Sequence, residues 1–167
     1  MSLLVVGVGD CRVSNDPESV LVTYALGSCI AVMIHDAVVR VGGLLHFMLP
    51  ESALDRAKAQ ANPFMFADTG IPLLFHRAYR LGAEKRRMAV TVAGGAQIMD
   101  DQGTFNVGKR NCLAVRRILR KAGFLVQVEE LGGLALRTAS LEVASGKVSV
   151  RGIGKPERAP LAGKGSR

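Results

Sequence analysis

Cys29 follows Leu26-Gly27-Ser28 directly, and His46 opens the run His46-Phe47-Met48-Leu49-Pro50. A thiol with a pKa of about 8.5 is mostly protonated at neutral pH, and a neighbouring imidazole can take that proton and release a nucleophilic thiolate. A third group must hold the imidazole in its working orientation. Thr23, whose hydroxyl both donates and accepts, is the nearest candidate. Spacing alone leaves a plainer alternative open. Cysteine is among the most buried residue types, and a histidine on a strand is often a satisfied core polar group.

The elements that would position this pair can be read locally. Val20 to Tyr24 is β-branched and apolar and predicts a strand. Leu26-Gly27-Ser28 breaks it as a turn. A second strand runs from Cys29 to His35, with Cys29, Ala31, Met33 and His35 on one face. Asp36 to Val39 reads as a loop, and a third strand follows from Arg40 to Leu49, ended by Pro50. If His35 and Arg40 close this hairpin, Cys29 falls directly opposite His46, where Cβ atoms are roughly 4.5–5.5 Å apart. A bulge at Gly42-Gly43 would slip the register by one. A strand that opens after a Gly-Ser turn also leaves backbone N–H groups unpaired. Those of Ser28 and Cys29, with Gly27 in the same turn, could face an oxyanion.

The remaining chain supplies a scaffold. Leu3 to Val8 predicts a first strand and Asp10 to Ser19 a loop holding Cys11. Glu51 to Ala61 predicts a short helix. A longer helix runs from Asp68 or Thr69 to Leu81, with Asp68 as N-cap and Pro72 tolerable only in the first turn. Its apolar stripe is Ile71, Leu74, Phe75, Ala78 and Leu81, and His76 lies off it on the surface. Met88 to Ala93 predicts a buried strand leading to Gly94-Gly95-Ala96, where glycine lets backbone come close to a neighbour or substrate. Residues 98–106 read as a loop at the site rim, with Phe105 a candidate substrate contact or a simple anchor. A helix from Val107 to Ala122 buries Cys112, Val115, Leu119 and Ala122, so Cys112 reads as a core residue. Strands follow over Phe124 to Glu130, Leu134 to Val143 and Lys147 to Arg151. This mixture predicts an α+β fold, with layered mixed or antiparallel sheets and helices packed mainly on one side.

With 167 residues, one domain over 1–151 and a basic, flexible tail over 152–167 account for the chain. Three cysteines make no disulfide framework, and the odd count favours a reducing compartment. The run Leu3 to Val8 is too short for a membrane span or a signal sequence, so a cytoplasmic protein is expected. Cysteine and histidine lack close ligand pairs, and no P-loop or dinucleotide fingerprint appears; neither a metal nor a cofactor is expected. The net charge of +8 concentrates in the tail and in two body segments. One of these holds Lys109, Arg110, Arg116, Arg117, Arg120 and Lys121 with no acid. Such a face is either simply solvated or steers an acidic partner. No motif or aromatic platform for nucleic acid accompanies it.

Thr23-x-x-Leu26-Gly27-Ser28-Cys29, followed by His46-Phe47-Met48-Leu49-Pro50, resembles the chemoreceptor glutamine deamidase family, CheD. The likeness continues through Gly94-Gly95-Ala96, Val107-Gly108-Lys109-Arg110-Asn111, Gly132-Gly133 and Arg137, covering about residues 3 to 151. The resemblance implies catalytic roles for Cys29, His46 and Thr23, and a layered fold related to cysteine deamidase toxins. It implies hydrolysis of receptor glutamines to glutamate, and esterase activity on receptor methyl-glutamates by the same groups. The implied partners are cytoplasmic receptor helices and, in some members, a response-regulator phosphatase. Two rival readings stand beside it. One is a different thiol hydrolase or transferase. The other is a non-catalytic or dual-role binding partner of a chemotaxis signalling protein such as that phosphatase.

Overall fold

The computed structural model describes residues 1–97 and 106–152. Their strands are β1 (Ser2–Val5), β2 (Asp10–Ser14), β3 (Ser19–Leu26), β4 (Ile30–Asp36), β5 (Val41–Phe47), β6 (Met88–Gly94), β7 (Val126–Leu131), β8 (Arg137–Glu142) and β9 (Val148–Gly152). The helices are α1 (Arg56–Ala61), α2 (Ala67–Arg80) and α3 (Val107–Lys121). Among the described residues the strands form two mixed sheets, one ordered β1-β3-β8-β9 and one β2-β5-β4-β6-β7.

The apolar pattern of β4 explains the layering. Every residue of the strand is buried. Ile30, Val32 and Ile34 join the helices' Ile71, Leu74, Phe75, Val115 and Leu119 in one core. Ala31 and Met33 join Leu21, Ala139 and Leu141 of the other sheet in a second. A strand covered on both faces carries a continuous apolar run instead of alternation. The result is a sheet, a second sheet and a layer of helices, the α+β architecture expected from the sequence with the helices on one side.

Several local expectations change. Residues 10–14 form an edge strand on β5 instead of loop, because Cys11 and Val13 alternate inward between Asp10, Arg12 and Ser14. Helix α2 begins at Ala67, so Asp68 is not its N-cap; its carboxylate accepts instead from the backbone N–H and hydroxyl of Ser52. Pro72 consequently lies beyond the first turn, on the exposed face, where solvent can serve the carbonyl its missing N–H leaves. Leu81 falls past the end of α2 and is exposed, while His76 is exposed and Cys112 buried as expected.

Candidate active site

The register of the β4–β5 hairpin differs from the simplest reading, and Asp36 is the reason. Its Oδ1 accepts from the N–H of Val38 at 2.9 Å and of Val39 at 3.4 Å. Its Oδ2 accepts from Glu84 N–H at 2.9 Å, and Arg87 Nε donates to both oxygens. Burial pushes this carboxyl up, but those bonds outweigh it and hold the group below the usual carboxylate range. The turn therefore spans residues 37–40, with Arg40 in the left-handed region at φ 52°, and Asp36 pairs with Val41. Ala31, not Cys29, lies opposite His46. Cys29 sits one residue ahead of β4 as a diagonal neighbour of His46, a relation that spans roughly 7–8 Å and is still bridged by longer side chains. Gly42 and Gly43 pair regularly with His35 and Ile34, without a bulge.

Thr23 approaches His46 from the opposite sheet. It lies on β3, fully buried, and its Oγ1 is 2.8 Å from His46 Nδ1 on β5. Just past it the β3–β8 register shifts between Thr23 and Leu26, and Ala25 takes φ 55°. This bulge turns the chain from the first sheet towards the second.

The bonds assign the imidazole tautomer. A threonine hydroxyl has one hydrogen, and Thr23 gives it to Val6 C=O at 2.6 Å. Oγ1 must then accept from His46 Nδ1–H. The proton-free nitrogen is Nε2, a buried atom without a hydrogen-bond partner among the described residues. Burial lowers the His46 pKa to about 4, so the ring is neutral at physiological pH. The site thus holds an unoccupied imidazole lone pair aimed away from its anchor.

Cys29 is the only one of the three free cysteines that reaches the surface. Burial raises its pKa, partly countered by its own backbone N–H, which lies against the sulfur. The resting pair is accordingly a thiol and a neutral imidazole, not a thiolate–imidazolium pair.

The turn that carries Cys29 is anchored by its carbonyls. Gly27 C=O accepts from Ala96 N–H at 2.8 Å and Cys29 C=O from Gly95 N–H at 2.9 Å. Ser28 C=O accepts from Asn111 Nδ2 at 2.9 Å. Glycine makes the bond to Cys29 possible: a Cβ on Gly94, at φ 113°, would stand 2.2 Å from Cys29 O. Arg137 in turn donates to Gly94 C=O and Gly132 C=O, tying this segment to the start of β8. Among the described residues, no carbonyl accepts from the N–H of Ser28 or Cys29. Ser28 and Cys29 are half-buried and Gly27 is buried. Phe105 lies outside the described residues. Among those described, no group of three His, Cys, Asp or Glu side chains could hold a metal ion.

Of the residues singled out in the sequence, Thr23 and His46 are thus hydrogen-bonded between the sheets, and Cys29 lies two residues before the one that faces His46. Asn111 and Arg137 were visible only as parts of a motif, with no role attached, because each acts through backbone carbonyls that no spacing rule identifies.

The family described as CheD, chemotactic sensory transduction, matches residues 48–152. A relative from Solibacter usitatus named probable chemoreceptor glutamine deamidase CheD is 51% identical over 93% of this chain and 92% of its own. One from Syntrophus aciditrophicus, named probable chemoreceptor glutamine deamidase CheD 1, is 52% identical over 95% and 99%. A relative from Pyrococcus horikoshii with the first of those names is 39% identical over 89% and 91%.

Proposed function

The chain belongs to the CheD family, and on that premise we propose that it is a protein-glutamine deamidase acting on chemoreceptors through Cys29, His46 and Thr23. The observation that carries the assignment of roles is the imidazole tautomer. Thr23 fixes the proton on Nδ1, which leaves Nε2 as the basic nitrogen of a ring whose strand runs beside the one that Cys29 opens.

In this reading His46 Nε2 takes the Cys29 thiol proton as sulfur attacks the glutamine carboxamide carbon. The oxyanion is received by the N–H groups of Ser28 and Cys29. His46 then passes its proton to the departing nitrogen, ammonia leaves, and a thioester to Cys29 remains. Water, deprotonated by His46, attacks the thioester; glutamate and the free thiol are released. Because Thr23 accepts from Nδ1–H, it also stabilises the imidazolium formed in each half-reaction. A methyl-glutamate would follow the same path with methanol as leaving group.

The rim suits an acidic helical substrate. Helix α3 runs from the site with an exposed basic face. Among the described residues, Arg116 pairs with Glu129 and Arg117 with Glu51, while Lys109 and Arg110, next to the site, form no ion pair. Such a face raises the encounter rate with receptor helices rich in acidic residues. The same basic face is where a response-regulator phosphatase, the partner the family resemblance implies for some members, would dock. This reading sets the protein in the cytoplasm, as one domain with a basic tail; no helix among the described residues is long and apolar enough to cross a membrane.

Mass spectrometry of a receptor cytoplasmic fragment incubated with the protein tests the function. Replacing NH₂ by OH adds about one dalton per modified glutamine. The gain is expected with wild type and not with Cys29→Ala. An unchanged receptor in both, or an equal gain in both, contradicts the proposal.

A further inference from the structure

We infer that Asn111 is a positioning residue for the reaction, setting the distance between the nucleophile's turn and the strand that carries the base. The inference rests on the reading of Cys29 and His46 given above.

The hairpin opens where the chemistry would occur. The β4–β5 ladder ends at Ile30–Phe47. Beyond it Met48 N–H and Leu49 N–H turn away to Met65 C=O, and residues 27–29 bend. Neither end is then held to the other by backbone pairing. Asn111 Nδ2 stands in the fork. It donates to Ser28 C=O, immediately before Cys29, and to Met48 C=O, two residues after His46, each at 2.9 Å.

A carboxamide nitrogen carries two hydrogens fixed in one plane. Using both on these two carbonyls sets their separation and angle together, which no pair of independent bonds would do. Among the described residues, Asn111 is the only side chain that bonds to both ends. It reaches the fork because α3 is sunk against residues 95–96: a Cβ on Gly108 would meet Ala96 O at 2.3 Å.

The amide orientation is fixed by the same bonds, since the flipped amide would set its oxygen against two carbonyls. Asn111 is fully buried, and among the described residues its Oδ1 has no partner. A buried acceptor left unpaired is costly, so a side chain kept there for packing alone would be better apolar. What the asparagine uniquely supplies is two donors at a single point.

The test compares wild type with Asn111→Asp, which keeps shape but lacks the paired donors, and Asn111→Ser, which keeps one donor and is smaller. Steady-state deamidation of a receptor fragment is measured per folded molecule, with the folded fraction taken from circular dichroism at the assay temperature. Positioning predicts that kcat falls at least tenfold in Asn111→Asp while KM stays within about twofold, with Asn111→Ser intermediate. Wild-type kcat per folded molecule in either variant, with only thermal stability lost, overturns the inference. If Asn111→Asp does not fold, Asn111→Ser decides by the same criterion. Cys29→Ala is run alongside: deamidation surviving in that variant defeats the nucleophile reading itself, whatever Asn111 does.

Discussion

Thr23 Oγ1 accepts a hydrogen bond from His46 Nδ1–H at 2.8 Å across the gap between the two sheets, while giving its own hydrogen to Val6. One threonine therefore decides which imidazole nitrogen is basic. Thr23→Val preserves the shape of the side chain and removes the acceptor. We expect kcat to fall by about 10–100-fold, or roughly 1.4–2.8 kcal/mol of barrier. Thr23→Ser should stay within about threefold of wild type. Nitrogen-15 NMR of the ring should show the proton on Nδ1 in wild type and a tautomer mixture in Thr23→Val.

Acid should loosen the fold through His46. Its folded pKa, about 4, lies below the unfolded 6.5. Between those values the unfolded chain binds a proton that the folded one refuses, so stability falls as pH drops from 6.5 to about 4. The contribution lost is on the order of 3 kcal/mol. Urea titrations across that interval should show a shallower decline for His46→Gln, which cannot take the proton.

Sulfur chemistry and turnover should have different pH dependences. Burial holds the Cys29 thiol above the ordinary thiol value. Alkylation by iodoacetamide, which needs a ready-made thiolate, should rise with a midpoint above that value. Deamidation should run at neutral pH, because His46 takes the proton during attack. Coincident profiles would mean a resident ion pair instead.

The hairpin register depends on Asp36. Asp36→Asn removes the charge that holds Arg87 and weakens the bonds from Val38 and Glu84. A loss on the order of 1–3 kcal/mol in unfolding free energy is expected, because several bonds to a buried carboxylate weaken together while Arg87 keeps its pairing with Glu84. If the residue also sets the register of His46, kcat should fall with it.

Much of this site is legible in the sequence, for local reasons. Gly27-Ser28 interrupts a β-branched run, and that places Cys29 at a strand start whatever the fold. The strand order and the residue facing His46 are not local. Asp36 chooses the turn through Glu84 and Arg87, which are distant in sequence, so counting back from the loop misplaces Cys29 by two positions. Strand β2 was hidden for a related reason: an edge strand whose outward positions are Asp10, Arg12 and Ser14 has the composition of a loop. The contribution of Asn111 depends on three elements meeting, and nothing in its neighbours announces that.

Hydrolysis through Cys29 requires a covalent bond to its sulfur, and that bond is visible by capturing the acyl-enzyme. A receptor peptide bearing a modifiable glutamine is mixed with the protein, quenched in acid within one turnover, digested and weighed. The fragment containing Cys29 should carry the mass of the peptide less ammonia, and hydroxylamine should remove it. Turnover with Cys29 unmodified, or the adduct on Cys11 or Cys112, would contradict it.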